Sequence, residues 1–241
     1  MIQKLKFVNN NSLEEYRFKS LFTKEPETIF WIKKIKKNEV LIDVGANIGI
    51  YSLFAGKNNI KTFCIEPYKK NFKSLKKNIK LNKLKNIFAL NYAISDFVGK
   101  AFFNNGGDSR FGATGGFVTK KKISKLDHPI KTITLDNLVE KFKIKDNFHI
   151  KIDIDKDLNI LLKGFKNTVK NKNLKSVLIE TENIKERTKV FKFFKPYMKI
   201  LKLEKIVKNH STTRRKKKKS SRRNFIFYNN SMINSSKHLI F

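Results

Sequence analysis

The stretch Val40-Leu41-Ile42-Asp43-Val44-Gly45-Ala46-Asn47-Ile48-Gly49 decides the fold. It starts as a short apolar run, includes an acid, and passes through two glycines into a segment with helical spacing. This order predicts a strand buried on both faces, a tight turn and a helix. In open α/β sheets, ligands bind at this carboxyl end of a strand. Gly45 would let the turn approach a ligand closely, and Asp43 would accept hydrogen bonds there.

Further apolar runs follow this strand along the chain. Short runs that predict buried strands occupy residues 62–65, 87–91, 148–152 and 176–179. Amphipathic stretches that predict helices occupy residues 48–57, 69–82, 158–171 and 184–194. Alternating strands and helices are typical of a parallel sheet covered by helices. The sequence therefore predicts a doubly wound α/β fold.

Three segments lie outside this alternation. Helical spacing interrupted by Pro26 predicts an N-terminal helical cap over 1–37, which leaves 38–241 as one domain with a single core. Residues 96–130 contain six glycines, so we expect a mobile loop or small hairpin near the site, and whether 104–116 form a lid stays open. Apolar runs at 198–206 and 224–228 predict a closing antiparallel pair.

The second predicted strand leads into Glu66, 21 residues after Gly45. A carboxylate at this position can accept hydrogen bonds from both hydroxyls of a ribose. The dinucleotide pattern G-x-G-x-x-G is absent, because Asn47 stands where its second glycine would be. The pattern therefore favours a ribose-bearing ligand without a pyrophosphate and argues against NAD. Helix capping by Asp43 and a turn at Glu66 are the purely structural alternatives.

Composition limits the class of protein. With 241 residues and 40% hydrophobic residues, the chain can form one substantial core. The formal net charge is +34, but only seven of the 54 basic residues are arginine, which favours coding bias over selection for phosphate recognition. The single cysteine, Cys64, predicts a reducing compartment. Because no apolar stretch is long enough for a signal peptide or a membrane span, we expect a cytoplasmic protein.

Four motifs resemble those of the FkbM-type S-adenosylmethionine-dependent methyltransferases. They are DVGANIGIYS at 43–52, IEP at 65–67, NYAISD at 91–96, and KIDID at 151–155 with LLKG at 161–164. The resemblance implies a class I methyltransferase fold, Rossmann-like, with a seven-stranded, mostly parallel sheet and an antiparallel last strand. It also implies S-adenosylmethionine as cofactor and methylation of a hydroxyl on a small-molecule, saccharide or lipid-linked acceptor.

The resemblance also implies roles for individual residues. Those that would surround the methionine part of the cofactor are Asp43, Gly45, Ala46, Asn47 and Gly49. Glu66 would hold the ribose, and Ala93 and Ile94 would lie beside the adenine. Simple core packing is the alternative for Ala93 and Ile94.

Alternating carboxylates follow the predicted strand at 148–152. Asp153, Asp155 and Asp157 would share one face of an extended chain. Such a group of carboxylates suits a general base or a Mg²⁺ or Ca²⁺ site. Helix capping is the alternative for Asp155 and Asp157. The family pattern has Gly and an acid where Lys156 and Leu158 stand, which leaves a divalent metal undecided, and we assign no metal ligands. Asp153, Asp155 and His128 are the catalytic candidates, while His149 is expected to be a hydrogen-bonded core residue.

A basic run at 214–223 contains four arginines and no acid. It suggests an RNA methyltransferase as an alternative function, because such a run can contact phosphates. A solvated loop is the structural alternative. A third alternative is a non-catalytic basic binding module, suggested by the departure from the family pattern at Lys156 and Leu158.

Overall fold

The computed structural model describes residues 5–156, 158–201 and 223–229. In chain order its strands are β1 (Val40–Val44), β2 (Lys61–Ile65), β3 (Ile87–Leu90), β4 (Tyr92–Ile94), β5 (Gly99–Asn104), β6 (Phe117–Thr119), β7 (Asp127–Ile133), β8 (Phe148–Ile152), β9 (Leu174–Thr181), β10 (Met198–Leu201) and β11 (Arg223–Asn229). The helices are α1 (Ser12–Lys19), α2 (Pro26–Lys34), α3 (Ile50–Lys57), α4 (Lys69–Leu81), α5 (Leu135–Lys141), α6 (Leu158–Lys163) and α7 (Ile184–Phe194).

Seven strands form the central sheet in the order β10-β11-β9-β8-β1-β2-β3. The pairs β9–β8, β8–β1, β1–β2 and β2–β3 are parallel, and β11 is antiparallel to both β9 and β10. The expected mostly parallel sheet with an antiparallel last strand is confirmed. Strand order reverses between β1 and β8, and in open α/β sheets this switch point forms the ligand crevice.

Both faces of the sheet are buried. On one face, Ile42 and Val44 belong to a core that includes Phe148, Leu161 and Phe194. On the other face, Leu41 belongs to a second core with residues of the N-terminal segment and of α3 and α4. Burial on both faces explains why the parallel strands are continuous apolar runs.

Helix boundaries differ from the sequence prediction in two places. Helix α3 begins at Ile50 and not at 48, because Gly49 precedes it with a left-handed φ of +89°. Helix α6 ends at Lys163 and is followed by a 3₁₀ turn at Thr168–Lys170, so the predicted helix over 158–171 is wrong beyond 163. At Gly164, which follows the helix, a β-carbon would lie 2.4 Å from the Ser95 carbonyl oxygen, so only glycine allows this close approach of the two backbones.

The glycine-rich region is more ordered than the expected loop or hairpin. Strands β5 and β6 do form an antiparallel pair, but they belong to a four-stranded sheet in the order β4-β7-β5-β6. The β4–β7 pair is parallel and the β5–β7 pair is antiparallel. This small sheet carries Ala93, Ala101 and Phe103, which pack with Tyr68 in a separate apolar cluster. Loops remain between β5 and β6, residues 105–116, and between β6 and β7, residues 120–126. We call residues 105–116 the Gly-rich segment.

Helices α1 and α2 form in the region expected for the cap, and Pro26 is the first residue of α2. Trp31 of α2 donates its indole N–H to Ser176 Oγ at 2.8 Å, and His149 Nδ1 lies 2.6 Å from the same oxygen. His149 Nε2 lies 3.0 Å from Glu39 Oε2. His149 is thus the hydrogen-bonded core residue that we predicted. Among the described residues, no helix combines the length and apolar character that crossing a bilayer requires.

Candidate active site

The glycine turn after β1 brings two strand ends together. Gly45 has φ +80°, and a β-carbon there would lie 2.0 Å from the carbonyl oxygen of Asp153, which follows β8. Gly49 has φ +89°, and its β-carbon would lie 2.4 Å from Leu75 Cδ1. The amides of Gly45 and Ala46 both donate to the Ile65 carbonyl at 3.0 Å. Only glycine at position 45 therefore allows the turn to contact both β2 and the segment after β8.

Glu66 lies just beyond the end of β2, beside this turn. Its Oε2 accepts from the Asn47 backbone N–H at 2.8 Å and its Oε1 accepts from the Tyr68 backbone N–H at 2.8 Å. The side chain is buried, and burial raises its pKa to about 7, although these two hydrogen bonds oppose the rise. The carboxylate is therefore fixed in orientation, and its charge depends on pH near neutrality.

A cavity of about 160 Å³ opens at the switch point between β1 and β8. Its lining includes Gly45, Asn47 and Glu66. It also includes Asp153, Asp155 and Glu180, together with residues of the Gly-rich segment. The structure thus brings two groups of predicted site residues to one cavity.

A smaller apolar cavity of about 50 Å³ adjoins the first. Ala93 and Ile94 line it, together with Ile65, Pro67 and Lys156. The residues that line both cavities are Gly45, Pro67, Phe103, Gly116 and Ile154. Ala93 is also part of the apolar cluster of the small sheet, so core packing and cavity lining coexist at this residue.

Three residues of the glycine motif do not line either cavity. Asp43 is buried and accepts from Ser52 Oγ at 2.6 Å. Ala46 packs in the core, and Gly49 contacts Leu75. Burial raises the pKa of the Asp43 carboxyl, although Lys151 opposes the rise. These three residues therefore support the turn through core contacts and do not face the cavity.

The two carboxylates after β8 differ in their surroundings. Lys151 Nζ donates to Asp153 Oδ2 at 2.9 Å. Burial alone would raise the pKa of Asp153, but the Lys151 ammonium and a hydrogen bond from Glu180 together hold it well below its usual range. Asp155 Oδ2 accepts from the Gly115 backbone N–H at 2.5 Å, which ties it to the Gly-rich segment. Asp157 lies outside the described residues.

His128 lies on β7 opposite Phe103, exposed to solvent. Its ring stacks on Tyr68 with the ring centroids 6.2 Å apart. His128 lines neither of the two cavities. The structure therefore does not bring His128 together with Asp153 and Asp155.

The Gly-rich segment lines part of the cavity and is held by polar side chains. Asn71 donates to the Ala113 carbonyl at 3.0 Å and accepts from the Gly112 N–H at 2.7 Å. Asn47 donates to the Ala113 carbonyl at 3.0 Å, and Arg17 of α1 donates to the Gly112 carbonyl at 2.6 Å. These bonds connect the segment to α1, α4 and the glycine turn.

Four residues near the site are absent from the sequence prediction: Arg17, Tyr68, Asn71 and Lys151. One feature of the sequence could have identified Arg17, because it is one of only seven arginines in the chain. No feature of the sequence distinguishes Lys151 from the many other lysines. In the part of the chain that the structure describes, no group of three or more His, Cys, Asp or Glu side chains is arranged to hold a metal ion.

The sequence matches the model of the methyltransferase FkbM domain over residues 43–209. The chain belongs to the FkbM methyltransferase family. It is therefore an S-adenosylmethionine-dependent methyltransferase, as the motifs indicated. No curated protein sequence matches this methyltransferase significantly.

Solved structures share the fold of this FkbM methyltransferase at low sequence identity. An rRNA methylase from Streptococcus thermophilus has a TM-score of 0.50 at 6% identity, covering 85% of this chain and 94% of its own. Precorrin-6y C5,15-methyltransferase from Geobacter metallireducens GS-15 has a TM-score of 0.48 at 11% identity, covering 92% of this chain and 93% of its own. The rRNA methylase supports the class I methyltransferase fold and nothing finer.

Proposed function

We propose that this methyltransferase methylates a hydroxyl group of a small-molecule, saccharide or lipid-linked acceptor, with its cofactor at the switch point between β1 and β8. The carboxylate of Glu66 is the observation that supports this site most strongly. It is buried beside the glycine turn, fixed by two backbone amides, and it lines the main cavity. A carboxylate so placed suits the two hydroxyls of a ribose.

The residues around Glu66 fit the other parts of S-adenosylmethionine. The smaller cavity beside Ala93 and Ile94 is apolar and suits an adenine ring. Gly45 and Asn47 line the main cavity and suit the methionine part. In this proposal, Asp43, Ala46 and Gly49 act indirectly by shaping the turn. When bound, the cofactor supplies an electrophilic methyl group carried by a sulfonium.

The acceptor would lie against the carboxylates at the end of β8. Because Lys151 holds the pKa of Asp153 low, this carboxylate is ionised at neutral pH and can accept a hydrogen bond from an acceptor hydroxyl. Asp155 supplies a second carboxylate on the same cavity. When the acceptor O–H bond breaks, its proton would pass to Asp155, because a carboxylate whose pKa is held as low as that of Asp153 is a weak base. A role for His128 would require the acceptor to extend toward β7.

Transfer of a labelled methyl group tests this function. The protein would be incubated with S-adenosylmethionine labelled with ¹³C in the methyl group and with a panel of hydroxyl-bearing acceptors, amines and RNA. We expect an O–CH₃ carbon signal with a hydroxyl acceptor and no N–CH₃ signal. Transfer only to nitrogen or to carbon would contradict O-methylation while leaving the methyltransferase assignment intact.

An RNA acceptor is the second candidate, because the net charge is +34 and the basic run at 214–223 contains four arginines. Residues 214–222 lie outside the described residues. RNA recognition predicts binding that weakens steeply with salt and weakens further when 214–222 are deleted.

A further inference from the structure

A lysine is buried at the centre of the sheet, beside the proposed site. Lys151 on β8 is only 1% exposed. Lysine is almost never fully buried unless it is paired with an opposite charge. The position of this residue therefore calls for a physical reason beyond the composition of the chain.

Two carboxylates and an aromatic ring surround the ammonium of Lys151. Its Nζ lies 2.9 Å from Asp153 Oδ2 and 3.9 Å from Asp43 Oδ1. It also lies 5.0 Å from the centre of the Tyr51 ring. One ammonium thus connects the acid of β1 with the acid that follows β8.

Stability alone does not explain this arrangement. Burying charges costs free energy, and apolar side chains of similar volume often replace a buried ion pair without loss of stability. In this sheet the same position on an apolar strand would suit leucine or methionine, since every residue of β8 is buried.

Only one of the two carboxylates reaches the cavity. The Asp43 side chain is 1% exposed, whereas that of Asp153 is 28% exposed. Asp153 lines the main cavity, and Asp43 does not. The Asp153 N–H donates to the Val44 carbonyl at 3.0 Å, and its carbonyl abuts Gly45. Its backbone is thereby locked to the glycine turn, while its side chain is held by Lys151 and by a hydrogen bond with Glu180.

We propose that Lys151 is a positioning residue for methyl transfer, which fixes the Asp153 carboxylate at the wall shared by the cofactor and the acceptor. The inference rests on the proposed function. Asp153 held in this way presents a fixed negative charge to the positively charged cofactor and a hydrogen-bond acceptor to the incoming hydroxyl. Without the ammonium, the carboxylate would keep its hydrogen bond with Glu180 but lose its ion pair, and burial would then favour the protonated form.

Other groups near the pair must be considered in any measurement that varies pH. The charged or titratable groups that act on Asp153 or Lys151 are Asp43 on β1, Tyr51 on α3, Glu180 on β9, and Lys24 and Glu25 ahead of α2. None of these groups is changed in the principal variants, so all of these variants keep the same neighbouring titratable groups.

The ratio of affinities for S-adenosylmethionine and S-adenosylhomocysteine measures the charge at Asp153, because only the first compound is a sulfonium cation. Calorimetry would give this ratio for the wild type and for Lys151→Met, Lys151→Arg and Asp153→Asn. We expect Asp153→Asn to lower the ratio about tenfold, as loss of one nearby charge implies. Lys151→Arg should keep the wild-type ratio.

The pH dependence separates positioning from a merely structural role. In Lys151→Met the ratio should fall as pH decreases from about 8 to about 6, since the pKa of Asp153 is no longer held low. The wild type should show a smaller fall, because Glu66 of the same cavity titrates near pH 7 in every variant. Lys151→Met/Asp153→Asn should return to this wild-type dependence. If Lys151→Met does not fold, Lys151→Met/Asp43→Asn removes equal and opposite charges and allows the same titration.

Two results would overturn the inference, and they are distinguishable. If Lys151→Met has the wild-type ratio at every pH and is only less stable, Lys151 is a structural residue and the proposed function is unaffected. If the wild type binds neither compound, the proposed function fails and this inference fails with it.

Discussion

At the scale of single residues, Glu66 combines a fixed geometry with a sensitive charge. Its two oxygens are held by the Asn47 and Tyr68 amides, so little reorientation is needed when hydroxyl groups arrive. Burial raises its pKa to about 7 despite those bonds. Hydroxyl donors bind an ionised carboxylate more strongly than a protonated one.

The affinity for S-adenosylhomocysteine should therefore increase as pH rises through about 7. Protonated Glu66 must lose its proton before it can accept from both ribose hydroxyls, which weakens binding on the acid side. Calorimetry between about pH 6 and about pH 8 measures the slope. The same slope in Glu66→Gln would contradict this origin.

Gly45→Ala should reduce the free energy of unfolding by more than about 3 kcal/mol. The added β-carbon would lie 2.0 Å from the Asp153 carbonyl oxygen, in addition to the strain at φ +80°. Gly107→Ala is the matched control, because φ is +87° there and nothing lies within 4 Å of the added atom. The control should lose about 1 kcal/mol in urea denaturation. Equal losses would show that the contact with Asp153 is unimportant.

Some of these residues could be predicted from the sequence and others could not. Gly45 and Glu66 are marked by their spacing around two apolar runs, because the turn and the strand end each restrict the residue type. Lys151 could not be predicted, since its burial depends on the pairing of β8 with β1, which places it beside Asp43.

At the scale of elements, the Gly-rich segment forms part of the wall of the main cavity. It is fastened by Arg17, Asn47 and Asn71, and it lines a cavity of about 160 Å³. Ligand pockets for molecules of cofactor size are usually about 300–1,000 Å³. We therefore expect the segment to move outward when the cofactor binds.

Asn71→Ala should loosen the segment without unfolding the sheet. This change removes the bonds of Asn71 to Ala113 and Gly112, so amide hydrogen exchange in 105–116 should become faster. Exchange in β1 should remain as in the wild type. Asn86→Ala is the control, since Asn86 bonds to the Gly56 and Ile60 carbonyls instead. Unchanged exchange at Gly112 would contradict the proposed fastening.

The strands of the central sheet were predictable because apolar runs buried on both faces dominate the local sequence. The small sheet was not, because each of its strands contains exposed or half-buried residues and none is a continuous buried run. All three residues of β6, for example, are only half-buried. Helix α5 was also missed; its start depends on Thr134, whose side chain accepts from the Asn137 amide. Such capping is a weak local signal.

At the scale of the whole molecule, one buried network joins the helical cap to the sheet. Trp31, Ser176, His149 and Glu39 form a continuous chain of polar contacts. Burial alone would raise the pKa of Glu39, but the hydrogen bond from His149 and that from the Lys36 amide lower it to about 2. Ionised Glu39 therefore stabilises the folded protein above its ordinary pKa.

Stability should fall as pH decreases from about 4.5 to about 2, because the folded protein must then protonate Glu39. The loss due to this residue is at most about 3 kcal/mol. In Glu39→Gln, the dependence of unfolding free energy on pH should be flatter over this range. Glu140→Gln, at an exposed residue of α5, should leave the wild-type slope unchanged. A slope equally steep in Glu39→Gln would contradict this assignment.

The net charge of +34 affects the whole molecule and not the site alone. Like charges destabilise a compact chain, and salt screens them. We expect the free energy of unfolding to rise when NaCl increases from about 0.02 M to about 0.5 M, as urea denaturation would measure. A decrease would indicate that ion pairs outweigh repulsion in this fold.

Calorimetric titration of S-adenosylmethionine into the wild type and into Glu66→Ala tests the proposed cofactor site most directly. We predict one binding site per chain in the wild type and loss of most binding in the variant, with both proteins folded by circular dichroism. Equal affinities would contradict the role of Glu66, and no binding to the wild type would contradict the proposed cofactor site altogether.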